Sequence, residues 1–279
     1  MKKKYTKIGT ALILMLLLFI IYAAFIEPKQ LKWEHITIPI PQKHTSIQSL
    51  KIIQFSDTHV KNEKEQKQLK KIVEQINQAK ADFVIFTGDL IDNPNQFMYE
   101  DVLVELLGSI QAHYGKLAIF GNHDHGGNGT RMYTHIMENS NFQLLRNHST
   151  SFEIKNKTLT FVGIDDMILG QPDYKLLHTP KNDNVYTILL AHEPDFALEL
   201  SQNVADLILA GHSHGGQIQF PFLGAWIRPI GAKVFTEGKY ELVKQNSQLY
   251  VNTGVGTTRI PLRFLVPPSI TQFEFQVYS

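Results

Sequence analysis

The chain contains no cysteine. That excludes disulfides, thiolate metal sites, a cysteine nucleophile and a lipid-modified cysteine near the N-terminus, while leaving every redox compartment open. The first 26 residues contain no acid, and neither a low-complexity tract nor a repeat of roughly 20–50 residues occurs in the 279. Excess charge is missing too. Four of the 27 basic residues lie before residue 27, so 23 face 26 acids in the rest, a formal charge of −3. This is no footprint for nucleic-acid binding.

The N-terminus has a long apolar run. Lys2, Lys3, Lys4 and Lys7 precede an uncharged stretch from Ile8 to Ile26. At 1.5 Å per helical residue it spans about 28 Å, close to the hydrocarbon thickness of a bilayer. The lysines favour the cytoplasmic side, so the remaining chain is expected outside the cell membrane as a single-pass protein. A cleaved signal peptide is the rival reading, with Tyr22-Ala23-Ala24 as a weak cleavage site; its apolar core is normally shorter. Residues 1–26 are thus expected to be an anchor, 27–49 a tether with an edge strand, and 50–279 one domain without an internal linker.

Within that domain, apolar runs repeatedly end in polar clusters. "LKIIQF", "DFVIF" and "KLAIF" read as buried strands, separated by helices whose apolar residues recur at helical spacing (Leu69, Ile72, Val73, Ile76; then Val102, Leu103, Leu106, Leu107, Ile110). Such alternation predicts parallel pairing with helices on the sheet faces. "SFEIKNKTLTFVGID" reads as a hairpin turning at Asn156-Lys157, "YTILL" and "ADLILA" as further strands, and "ITQFEFQVYS" as a closing strand. The expected fold is α/β, a layered β-sandwich flanked by α-helices.

Five strand ends hold groups of the kind that bind metals: Asp57-Thr58-His59, Gly88-Asp89, Gly121-Asn122-His123-Asp124, Ala191-His192 and Gly211-His212-Ser213-His214. Ligands of open α/β sheets bind at the carboxyl ends of strands, so the five are expected to converge. In extended backbone, residues i and i+2 face one way, which would pair Asp57 with His59 and His212 with His214. Carboxylate, imidazole and amide suit Mn, Fe or Zn. Seven ligands overfill one ion and suit two, which together clamp a phosphoryl group.

The order D-x-H, G-D, G-N-H-D, a later His and G-H-x-H resembles the calcineurin-like metallophosphoesterases, across Asp57 to His214. The tail "GHSHGGQIQFP" and "GKYELVKQNSQLYVNTGVGTTRIPLRFLVPP", with the N-terminal run, is similar to the single-pass bacterial branch; wider relatives include hydrolases of lipid-linked pyrophosphates. The resemblance implies a first ion held by Asp57, His59 and His214, a second by Asn122, His192 and His212, and Asp89 bridging them. It implies a metal-bridging hydroxide as nucleophile. His123 would protonate the leaving oxygen without binding metal, and Asp124 would orient His123.

Other residues are read more plainly. His125, Asp92 and Asp166 are expected to be structural, the two acids as turn formers. Arg131 and Arg259 are candidates for holding a substrate phosphate. "FPFLGAWIRPIGAKVF" is either a loop against the core or an apolar surface beside the metals. The expected function is a two-metal phosphoesterase at the outer membrane face, acting on a phosphorylated small molecule or a lipid-linked substrate. The alternatives are a secreted phosphatase and a non-catalytic metal-binding module. Oligomeric state is left open.

Overall fold

The computed structural model describes residues 2–278. Two six-stranded sheets face each other across an apolar layer. The first holds β1 (Lys32–Ile40), β2 (Lys51–Phe55), β3 (Phe83–Phe86), β4 (Gly115–Ala118), β5 (Gln143–Leu144) and β14 (Ser269–Val277), in the spatial order β1-β14-β2-β3-β4-β5. The second holds β6 (His148–Ile154), β7 (Lys157–Gly163), β8 (Tyr186–Leu190), β9 (Leu207–Ala210), β12 (Gly238–Leu242) and β13 (Ser247–Val251), ordered β12-β13-β9-β8-β7-β6. A short hairpin, β10 (Gln219–Phe220) with β11 (Gly224–Ala225), stands apart from both.

Strand alternation feeds two cores. Ile52, Phe83 and Ile85 point between the sheets, where they meet Phe161, Ile188 and Leu209. Ile53, Phe55, Val84 and Phe86 point outward, under the helices α2 (Glu63–Ala79), α3 (Glu100–Gly108) and α5 (Thr130–Asn139). A capping box starts α2: the Asn62 side chain accepts from the Lys64 N–H and Glu65 accepts from the Asn62 N–H. A cap of this kind is worth about 1 kcal/mol. The outer face of the second sheet is covered by 3₁₀ turns (Tyr174–Leu177, Pro194–Leu198) instead of α-helices. Parallel β2-β3-β4-β5 and β7-β8-β9 put the carboxyl ends of both sets at the site described below.

Four expectations change. The hairpin between β6 and β7 turns at Lys155 and Asn156, both with positive φ, because Ile154 pairs with Lys157. Val102 is exposed, because α3 buries only Leu103 and Leu107 fully. β14 does not close an edge; it lies parallel to β1 and antiparallel to β2. In residues 27–49 the expected edge strand is β1, at the end of its sheet, but the stretch before it is packed against the domain instead of serving as a tether. The Glu27 side chain is buried and accepts from the Val266 N–H at 2.5 Å, and β1 is paired along its whole length.

The N-terminal run forms α1 (Lys2–Ile21), continued by a π turn over Tyr22–Ile26. The candidate membrane span runs from Lys4 to Lys29, with little of it buried against the protein. The Lys2 and Lys3 side chains lie outside the described set.

Candidate metal centre

Three of the five strand ends turn sharply. Asp57, His59, Asp89, His212 and His214 all have φ between 41° and 67°. The paired residues therefore converge through left-handed turns, not through the extended backbone read from their i, i+2 spacing. Left-handed non-glycine residues cost about 1–3 kcal/mol each and persist where the surroundings over-determine them. Here the Asp57 N–H donates to the Gly88 carbonyl, the His59 N–H to the Asp89 carbonyl, and the His212 N–H to the Asp57 carboxylate. Close approach of the strand ends needs glycine. A Cβ on Gly121 would stand 2.3 Å from an Asp89 oxygen, and one on Gly88 2.6 Å from the Gly121 nitrogen.

The side chains fall into two buried triads whose ligand atoms lie within 4.8 Å of one another: Asp57, His59 and His214, and Asp89, His192 and His212. Asp89 Oδ2 lies between them, 3.5 Å from His59 Nε2 and 3.3 Å from His192 Nε2. Asn122 opens the single-turn helix α4 (Asn122–His125) beside the second triad.

The donor atoms are held ready. His192 Nδ1 donates to the Thr87 carbonyl at 2.6 Å, and His212 Nε2 donates to the Ile230 carbonyl at 2.7 Å. The opposite ring nitrogens are left facing the site. Burial and the charge of His192 lower His212 to about 4. Burial, His59 and Arg263 hold His214 well below its ordinary value. Both rings are therefore neutral at pH 7. Burial works against the Asp89 charge, yet His192 and His59 hold its carboxyl well below the usual range.

This donor set fits divalent cations. His59 Nε2 and His214 Nε2 face each other at 3.0 Å. Asn122 Oδ1 and His192 Nε2 are buried without a hydrogen-bond partner. Such orphaned atoms are costly unless a ligand satisfies them.

His123 behaves differently. Its Nδ1–H donates to the Asp92 carbonyl at 2.7 Å, and its backbone N–H donates to Asp89 Oδ1 at 2.8 Å. Asp124 does not orient it. The Asp124 carboxylate accepts from the N–H groups of Asp89, Leu90 and Gly121, so it clamps two strand ends together.

Comparison with known proteins agrees with this arrangement. Residues 50–216 match the family model for calcineurin-like phosphoesterases. The chain is 40% identical over 256 residues to the metallophosphoesterase YkuE of Bacillus subtilis, covering 91% of this chain and 89% of that one. The chain belongs to the calcineurin-like phosphoesterase family. It is 27% identical over 304 residues to the UDP-2,3-diacylglucosamine pyrophosphatase LpxG of Chlamydia trachomatis, covering 90% and 91% of the two chains. The solved structure of TT1561 from Thermus thermophilus aligns with a TM-score of 0.46 at 13% identity, over 74% of this chain and 90% of that one.

This calcineurin-like phosphoesterase is thus a metal-dependent phosphoric ester hydrolase with a mixed α/β fold. Its triads open into a cavity of about 460 Å³. Asp89, Asn122, His123, His212 and His214 form one end; Ile218, Trp226, Ile227, Ile230 and Ile260 supply apolar wall. Arg228, Lys233 and Arg259 add positive charge. Arg131 is exposed on α5 and, among the described residues, is not part of that wall.

His125 bonds Asp165 and Thr130 and stacks on Phe120, apart from both triads. Asp166 does form a turn, accepting from the N–H groups of Ile168, Leu169 and Gly170. Two residues go beyond the sequence reading. Asp92 supplies the carbonyl under His123 and sets its carboxylate 3.4 Å from His59 Nδ1; its place just after the G-D motif was the available signal. Arg263, fully buried beside His214, had none beyond its presence in the tail.

Proposed function

We propose that this phosphoesterase is held in the cytoplasmic membrane by residues 1–26 and hydrolyses a phosphate ester or pyrophosphate bond of a lipid-linked substrate at the outer face. Residues 50–279 are the catalytic domain, with β1 completing its first sheet. The observation that carries the reading is the cavity, whose lining combines carboxylate, amide and imidazole groups with apolar wall and three cations. A phosphate next to an acyl chain matches that combination of surfaces. The LpxG relative, whose name gives a diacylated sugar nucleotide as substrate, supports the same class.

Asp57, His59 and His214 would hold one divalent ion, and Asn122, His192 and His212 a second, with Asp89 shared. When bound, such ions supply Lewis acidity toward the phosphoryl oxygens and lower the pKa of water. The chain's own residues do the rest. Burial works to lower the pKa of His123, but Asp89 and the Asp92 carbonyl outweigh it and raise it, which favours the protonated ring. Its Nδ1–H is committed to Asp92, so Nε2–H is the proton available to a leaving oxygen. Arg259, Arg228 and Lys233 line the same cavity and are the cations available to a second phosphate.

The lysines in the first two turns of α1 support the outward orientation. Retention of the anchor is supported at Ala23, which is fully buried and whose carbonyl accepts from the Arg263 N–H at 2.9 Å. The test is a hydrolysis screen of the purified full chain with Mn, Zn or Fe, comparing lipid-linked phosphates and pyrophosphates with soluble nitrophenyl esters. Ile227→Ser with Ile230→Ser should impair the lipid-linked substrates more; equal effects on both classes would remove the lipid. Protease added to intact spheroplasts should digest the domain, and protection would refute the orientation.

A further inference from the structure

The tip of the β10–β11 hairpin is not explained by the cavity. Phe220 pairs with Gly224, leaving Pro221, Phe222 and Leu223 as the turn. Phe222 is 107% exposed and Leu223 80% exposed, and neither lines the cavity. Phe222 also has φ 71°, a conformation that glycine or asparagine adopts at far lower cost than a bulky aromatic. Single exposed apolar residues are ordinary, but here Trp226, Ile227 and Ile230 follow, each more than half exposed.

The root of the hairpin is tied to the membrane helix. Ile218 bridges to Phe264, the Gln219 N–H donates to the Phe264 carbonyl, and the Phe264 N–H donates to the Gln217 carbonyl. The next residue back, Arg263, donates its N–H to Ala23. The Phe264 ring lies 4.7 Å from Phe19, 6.1 Å from Tyr22 and 6.2 Å from Phe220, which in turn lies 5.6 Å from Trp226. Phe19 precedes Glu27, the first acid of the chain, by eight residues, about 12 Å along a helix. The hairpin therefore roots against a part of the helix that lies inside the apolar segment.

We propose that the β10–β11 hairpin is a second membrane contact, inserting Phe222, Leu223 and Trp226 into the leaflet that α1 enters. The proposal rests on the anchoring part of the reading above and not on its chemistry. Exposed Arg228, two residues after Trp226, suits the phosphates of the lipid headgroups. Two contacts fix the domain against rotation about α1, and the cavity wall that shares Trp226 is held at the bilayer surface.

Trp226 reports its own position, because the chain has only one other tryptophan, Trp33. The full chain carrying Trp33→Phe is reconstituted in phosphatidylcholine vesicles, without metal or substrate. Lipids brominated shallow in the acyl chain should quench Trp226 about twofold or more, and aqueous iodide should quench it weakly. Phe222→Ser with Leu223→Ser should at least halve the lipid quenching while leaving the thermal melt in detergent unchanged. Carbonate extraction of the same vesicles reports α1 separately. An inserted anchor with Trp226 open to iodide would overturn the hairpin contact alone, as would undiminished quenching in the double variant. Extraction of the whole protein would overturn the anchor and the proposal with it.

Discussion

The guanidinium of Arg263 lies 3.4 Å from His214, Nη2 to Nδ1, while the same residue's backbone N–H holds the Ala23 carbonyl just after the apolar helix α1. One buried residue therefore touches both a metal-type triad and the end of the N-terminal apolar segment. Its remaining hydrogen bonds go to the carbonyls of Thr253, Gly254, Gly256 and Val266. Burial lowers its pKa to about 10, which still leaves it charged at neutral pH. A guanidinium only donates, so it cannot take an Nδ1–H from a metal-binding ring, and its charge opposes a cation beside His214. Arg263→Met should therefore strengthen the ion proposed for Asp57, His59 and His214 by about 10-fold or more, and Arg263→Lys, which keeps the charge, should change it little. Chelator competition on the folded variants measures it, and unchanged affinity would confine Arg263 to holding the loop.

Asp89 is the only carboxylate within 3.5 Å of ring nitrogens from both triads, among the described residues. Its other oxygen accepts the His123 N–H. Asp89→Ala should cost both ions, not one, and reduce activity to background. Metal content of the purified variant decides this; two tightly retained ions with full activity would sink the shared role.

Asp165 gives a pH dependence away from the site. Burial works to raise its pKa, but His125, the Gln171 N–H and Arg146 outweigh it and bring the carboxyl down from 3.8 to about 2. A depressed carboxyl contributes stability that is complete above the unfolded value and is lost as pH falls through the folded one. Asp165→Asn should therefore lower Tm by about 2–6 °C at pH 7. The deficit should shrink between about pH 4 and pH 2. Thermal melts across that range test it: a deficit that stays constant to pH 2 would mean the loss is packing and not charge.

The convergence of five strand ends was legible because each apolar run stops at a polar cluster, and chain alternation forces those ends to one side. What the residues do there was less legible. Asp124 follows His123 in sequence, yet in the single turn α4 consecutive side chains diverge by about 100°. Asp124 therefore faces the N–H groups of Asp89, Leu90 and Gly121, and the His123 ring goes to Asp92. The left-handed turns at Asp57 and His212 leave no trace in residue type, since only glycine advertises positive φ. β14 has a strand's pattern, but nothing local says that it slots between β1 and β2. Glu27 and Val266 are 239 residues apart, so the docking of the N-terminal apolar segment's end was beyond any window of periodicity.

His123 gives the sharpest separation of roles. It stands with Asp89 and Asn122 at the metal end of the cavity, but Asp92 takes its Nδ1–H and its ring belongs to neither of the two triads assigned to ions. It does share a third group with His59 and Asp92, so a ligand role is a real competitor. The proton-donor reading requires that His123→Ala keep both ions and lose about 10²–10⁴-fold in rate. The loss should be smaller for nitrophenyl esters, whose leaving group departs without a proton. The raised pKa adds a second signature: the protonated ring is the active form, so the wild-type rate should fall on the alkaline side and the variant should lack that limb. Metal content and the pH–rate profile of the same preparation decide between the two. Ions lost together with activity would make His123 a ligand and move the source of the proton elsewhere.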